Sequence, residues 1–125
     1  MKKKLNTIAF EFVLEQLYSA NPITKPMFGC HAVYVGNKIV LILRKKGVSE
    51  TDNGVWIATT HEHHPSLRGD FPSMRTIAVF GTESGWQNLP EDAPDFEEAV
   101  IKVCSFILKA DHRIGKIPKP RKKKD

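Results

Sequence analysis

The chain has 125 residues, 41% apolar and 26% charged, with a formal net charge of +5, the size and composition of one globular domain with its own core. Disordered, collagenous and coiled-coil composition and a two-domain enzyme are excluded. Neither G-x-G-x-x-G nor G-x-x-x-x-G-K-[ST] occurs, so no cofactor is expected. The charge is uneven: residues 2–4 contribute +3 and residues 112–125 contribute +6, while residues 5–111, with 9 Lys/Arg against 13 Asp/Glu, carry −4.

The basic start, Lys2 to Lys4, runs into an amphipathic stretch with Glu11 and Glu15 rather than an apolar signal segment, and no run is long enough to span a membrane. The two cysteines, Cys30 and Cys104, lack framework spacing, which suits a reducing compartment and a cytoplasmic location. Residues 6–20 read as a helix, with Ile8, Ala9, Phe12, Val13, Leu17 and Ala20 on one face, ended by Asn21-Pro22. Residues 30–35 and 38–44 are β-branched and apolar around Gly36-Asn37, a two-residue loop suited to a primed hairpin turn. A regular ladder from that turn puts Ala32, Tyr34, Ile39, Leu41 and Leu43 on one face and Val33, Val35, Val40 and Ile42 on the other. Both faces are apolar, so the second must be covered by later elements or by a second copy of the chain.

Val55 to Thr59 reads as a third strand, and Thr59-x-x-Glu62 as a capping box opening a short helix to about Arg68. Arg75 to Phe80 alternates as a fourth strand, and Trp86 to Leu89 forms a short fifth before Pro90. The last helix covers about 94–110, with Phe96, Ala99, Val100, Val103 and Ile107 in one stripe. The expected architecture is α+β: an antiparallel sheet of 4–5 strands with an N-terminal and a C-terminal helix packed on it and a short helix between strands 3 and 4. The expected domain is 5–111, with 1–4 and 112–125 as basic tails.

Met27-Phe28-Gly29, followed by a strand with Tyr34, a turn and a second apolar strand, resembles the opening of the TfoX/Sxy N-terminal domain. That family shows Met-Phe-Gly-Gly there; Cys30 replaces the second glycine. Trp86-Gln87-Asn88-Leu89-Pro90 matches the family's step before its final helix. The MmcQ/YjbR-like proteins share a similar small layout and are the next nearest. The resemblance implies a regulatory or stand-alone α+β module with no catalytic residues to carry over. From the residues alone, Phe28 is expected to plug the core where the first helix meets the sheet, with Gly29 permitting close backbone packing.

His61-Glu62-His63-His64 is the most conspicuous polar cluster, and His61 and His64 can share one side of a helix. Pro65 removes the second ligand of H-E-x-x-H, and no metal site is expected. Trp56, His61, His63, His64, Arg68 and Arg75 are candidates for a groove that takes an anionic or aromatic ligand. Trp56, between Val55 and Ile57, also suits a core position. Cys30-His31 lacks nucleophile geometry, because neighbouring strand residues point apart. Lys2, Lys3, Lys4, Arg113, Lys116, Lys119, Arg121, Lys122, Lys123 and Lys124 could draw nucleic acid by counterion release. Asp92, Asp95, Glu97 and Glu98 suit a helix N-terminus. The leading functional expectation is a non-enzymatic binding or regulatory module acting on a protein partner, self included. A nucleic-acid-associated protein using its tails and a small ligand-binding protein or enzyme with a His/Arg pocket are the alternatives.

Overall fold

The apolar run at 30–44 forms the centre of a six-stranded antiparallel sheet. The computed structural model describes residues 8–80 and 84–117. Its strands are β1 (Ile23–Met27), β2 (Cys30–Val35), β3 (Lys38–Arg44), β4 (Gly54–Ile57), β5 (Arg75–Thr76) and β6 (Gln87–Pro90), in the order β1-β2-β3-β4-β6-β5. The helices are α1 (Phe12–Gln16), α2 (His64–Asp70) and α3 (Phe96–Leu108). The class is α+β.

One sheet face carries the helices. Val13 and Leu17 of the α1 region, Leu67 of α2, and Val100, Val103 and Ile107 of α3 are buried in one cluster with Val33, Leu41, Leu43, Ile57 and Leu89 of the sheet. Burying each such side chain contributes about 1.5–3 kcal/mol, so this layer dominates the stability. The α3 stripe is buried as its spacing predicts, with Cys104 added and Phe96 at its margin.

The hairpin departs from a regular ladder. Val35 pairs with Lys38 and Tyr34 with Ile39, but then Val33 faces Leu41, Ala32 faces Ile42 and His31 faces Leu43. The slip between Val33 and Tyr34 leaves Val40 as an extra residue on β3, a bulge. Every side chain beyond it changes face. Leu41 and Leu43 therefore join Val33 and Val40 under the helices, and Ile42 joins Ala32, Ile39 and Trp56 on the opposite face.

That second face is covered by the chain itself. Ile77 and Ala58 complete its buried cluster, with Met27, Tyr34 and Trp86 packed at the margins. The expected strand Arg75–Phe80 is strand only at Arg75–Thr76; Ala78–Phe80 is a 3-10 turn. The buried Asp52 carboxylate accepts hydrogen bonds from the Ala78 and Val79 N–H groups at 2.8 and 3.1 Å, which ends the ladder and folds the segment onto the face. Trp56 Nε1 donates to the Asp52 carbonyl at 2.8 Å.

Two further elements differ from expectation. The helix expected over 6–20 is α1 followed by a 3-10 turn at Tyr18–Ala20; Phe10 has φ 55° and Leu17 leaves helical geometry, while residues 6 and 7 lie outside the described residues. The strand β1, absent from the sequence reading, pairs with β2 from Ile23↔Tyr34 to Met27↔Cys30. Pro26 hides it from propensity, yet proline is tolerated because β1 is an edge strand.

The packed chain also runs past Asp111. Ile114 is buried in the helix-side core, and Lys116 exchanges two backbone hydrogen bonds of 2.9 Å with Ile39. Gly115 N–H donates to the Ala58 carbonyl at 2.7 Å. Residues 112–117 are thus part of the described fold, not tail. Arg113 alone explains much of this, since it bridges Asp70 at 3.0 Å and Asp111 at 2.7 Å with little exposure.

Candidate functional site

The six ligand candidates do not form one groove. Trp56 is buried in the second-face core. Arg68, on α2, donates to the Gln87 amide oxygen at 3.3 Å. Arg75, on β5, donates to the Thr51 carbonyl at 2.7 Å and pairs with Asp92 at 3.2 Å. The histidines do gather around a 3-10 turn at His61–His63 and the start of α2. The His61 and His64 rings lie 4.9 Å apart, and His63 meets His112 edge to face at 5.3 Å. His64 Nε2 lies 2.8 Å from the Gly85 carbonyl oxygen, an acceptor, so that nitrogen carries the proton. Among the described residues no three His, Cys, Asp or Glu side chains are placed to hold a metal ion.

The expected capping box does not form. Thr60, not Thr59, precedes the 3-10 turn, and neither it nor His63 caps through a side chain. The Thr59 hydroxyl is buried without a hydrogen-bond partner, as are both polar atoms of the Asn88 amide. Of the basic residues, Arg113 is committed internally, and Lys116 Nζ sits 5.9 Å from the Trp86 ring centroid. Lys2, Lys3, Lys4, Lys119, Arg121, Lys122, Lys123 and Lys124 lie outside the described residues.

Burial sets the thiol chemistry. It raises the Cys30 pKa, against opposing pulls from Lys46 and Arg44, and pushes Cys104 up to about 12. Both thiols are therefore poor nucleophiles. The Arg113 hydrogen bond to its side chain lowers Asp111 to about 2, despite partial burial.

The unusual chemistry lies at the β1–β2 turn. Phe28 and Gly29 connect Met27 to Cys30, with φ of 56° and 76°. Two positive values in a two-residue loop are the pattern of a type I′ turn, where Asn and Gly are favoured. Phe28 does not plug the core: it is 70% exposed. Its carbonyl accepts from Lys46 Nζ at 2.9 Å and from the Cys30 thiol at 3.6 Å. A side chain on Gly29 would meet the same Lys46 ammonium, at 2.9 Å.

Lys46 is positioned by the loop after β3. The buried Arg44 guanidinium donates to the Val48 and Ser49 carbonyls and to Asn53 Oδ1 at 2.9–3.1 Å. Asn53 in turn accepts from the Lys46 N–H and donates to its carbonyl, both at 2.9 Å. A cleft of about 750 Å³ lies there, lined by Lys45, Lys46, Glu50, Thr51, Glu91 and Asp92. Lys45 pairs with Glu91 across it. At the other end of β1 is a second groove of about 450 Å³, lined by Leu14, Tyr18, Asn21, Pro22, Ile23 and Thr24. Tyr18 is 79% exposed and Ile23 56%.

Set against protein-family models, curated proteins and solved structures, the chain finds no match in any of the three. Phe28 and Tyr34 belong to one sequence motif, but the exposure of the turn is not written in it. The legible signal was two two-residue loops, 28–29 and 36–37, separated by one strand's length.

Proposed function

We propose that this protein is a non-enzymatic binding or regulatory module, similar to the TfoX N-terminal domain, that works through protein contacts along its β1 edge. The observation that carries this reading is Phe28, exposed and left-handed at once. Leaving such a ring in water forgoes about 1.5–3 kcal/mol of burial. Holding a non-glycine residue in that backbone region costs about 1–2 kcal/mol more. Asn or Gly at position 28 would avoid both penalties, so folding gives no reason for a phenylalanine. A partner surface that buries the ring does.

The polar residues support the same reading. Arg68, Arg75, Arg113 and His64 are engaged within the fold, which suits structural roles better than a catalytic pocket. The test is photo-crosslinking from a benzophenone amino acid at position 28 of the full chain in cells, with Glu97 on α3 as a control position. Protein adducts from position 28 alone are expected. Nucleic-acid adducts, or none, would overturn the reading.

A further inference from the structure

The end of the sheet at the β2–β3 turn gathers positive charge that the fold does not neutralise. Lys116 exchanges its backbone hydrogen bonds with Ile39, which sets it beside Lys38 at the start of β3. Lys38 lays its stem along Gly115, where a Cβ would lie 2.9 Å from its Cδ. Lys38 also lines a groove of about 210 Å³ together with Ala110, the residue after Lys109 at the end of α3. Neither Lys38 nor Lys109 makes an ion pair or a side-chain hydrogen bond among the described residues. The Lys116 ammonium faces the Trp86 ring rather than a carboxylate. The acids of the same region are taken: Asp70 and Asp111 by Arg113, and Glu62 by His63 at 3.5 Å.

The sequence adds to this charge. Past Ile117 it continues with Lys119, Arg121, Lys122, Lys123 and Lys124 against Asp125. The Lys116–Ile39 bridge ties the start of that run to the end of the sheet that holds Lys38 and Lys109. Residues 5–111 as a whole carry −4, so positive charge is concentrated at one end of an acidic body. We infer that this end is a binding surface for the phosphate backbone of nucleic acid, in which Lys38, Lys109 and Lys116 act together with the basic run that follows Ile117. The inference is independent of the Phe28 contact, which lies at the opposite end of the sheet.

Closely spaced phosphates suit a set of separate ammonium groups, and each phosphate neutralised releases condensed counterions. Lysines are point charges on long stems, and the Arg113 fork beside them is occupied by Asp70 and Asp111. Contacts of this kind hold the backbone without reading base edges, so binding indifferent to sequence is expected. An anionic lipid surface fits less well. Stable membrane attachment needs an apolar anchor beside the charges, and the run after Ile117 holds no aromatic or branched aliphatic residue. An acidic protein presents sparser charge than a duplex, which carries one negative charge per about 1.7 Å of its axis.

Fluorescence anisotropy of the full chain with a labelled duplex DNA across a salt series tests this. The wild type is expected to bind two unrelated sequences equally, with an affinity that falls steeply with salt. Lys38→Gln combined with Lys109→Gln is expected to reduce the slope of log affinity against log salt by about one for each lysine removed. Lys38→Arg with Lys109→Arg is expected to keep the slope, because the charge is kept. Lys45→Gln, at the opposite end and paired with Glu91, is the charge control and is expected to leave the slope unchanged. Thermal unfolding verifies that the variants remain folded. No binding would overturn the surface. A slope indifferent to positions 38 and 109 would overturn it as well, since the run after Ile117 would then act alone. An equal loss from Lys45→Gln would do the same, since net charge would then explain the binding. Phosphatidylserine vesicles and polyglutamate are titrated at the same salt, and binding to either as tight as to DNA would replace nucleic acid with a lipid surface or an acidic protein.

Discussion

The two hairpin turns of the meander lie at opposite ends of the sheet and solve one geometric problem differently. Gly36 at the β2–β3 turn takes φ 63° with open space around its Cα, and Asn37 follows. This residue choice relieves the backbone, and it was visible in the sequence. At the β1–β2 turn the first left-handed position holds Phe28, and Lys46 and Cys30 hold its carbonyl. The first turn serves the fold alone. The second keeps a strained and exposed residue, the kind of strain that persists only where surrounding contacts hold it.

The ends around these turns differ as well. Beyond Gly36 the chain is sealed by its C-terminal segment, through Ile114, the Lys116–Ile39 bridge and Arg113. Around Phe28 the loop held by Arg44 and Asn53 leaves an open, mixed-charge cleft. One end is packed around a small groove of about 210 Å³ beside Asn37 and Ile114, and the other is organised by hydrogen bonds around a larger cleft.

The largest expected effect is at the open end. Gly54 has φ 150°, and a Cβ there would lie 2.2 Å from the Leu89 carbonyl oxygen and 2.5 Å from Asn88 Oδ1. Gly54→Ala must displace β6 backbone, so a loss of about 3 kcal/mol or more in urea unfolding is expected. A loss near that of Gly36→Ala would show that β6 gives way easily and that this end is softer than drawn.

Next is the sealed end. Arg113→Ala removes partners from Asp70, Asp111 and Ser66, and a loss of about 2–3 kcal/mol is expected for such charged hydrogen bonds. The sign with pH follows from Asp111, whose folded pKa is lowered to about 2. Its stabilisation is present above the ordinary carboxylate range and disappears as pH falls toward 2. Asp111→Asn should therefore flatten the acid limb of the stability curve while changing little between the two proteins already at pH 2. An unchanged limb would remove the Asp111–Arg113 pair from the sealed end.

The smallest effects compare the turns directly. Gly36→Ala, with no steric obstacle, is expected to cost only the left-handed penalty of about 1 kcal/mol. Phe28→Asn is expected to raise stability by about 1 kcal/mol, because Asn accepts the left-handed turn. Opposite signs in chemical denaturation would sharpen the contrast. A destabilised Phe28→Asn variant would mean that the ring supports the fold rather than a partner contact.

Local sequence determined much of this protein. The β-branched runs around Gly36-Asn37 specified a primed hairpin, and the apolar stripe of residues 96–107 specified α3, because each pattern depends only on near neighbours along the chain. Trp56 between Val55 and Ile57 was legible as core for the same reason. Tertiary structure decided the rest. One bulge at Val40 moved Leu41, Ile42 and Leu43 to opposite faces, and alternation cannot reveal it because a one-residue slip preserves the local pattern. Strand β1 exists because an edge place in the sheet tolerates Pro26. Residues 112–116 joined the body through partners far away in sequence, Ile39, Ala58 and Asp70. Phe28 resembled a core plug in the sequence. Only the close pairing of β1 with β2, which leaves a two-residue turn at the end of the sheet, put its ring in solvent.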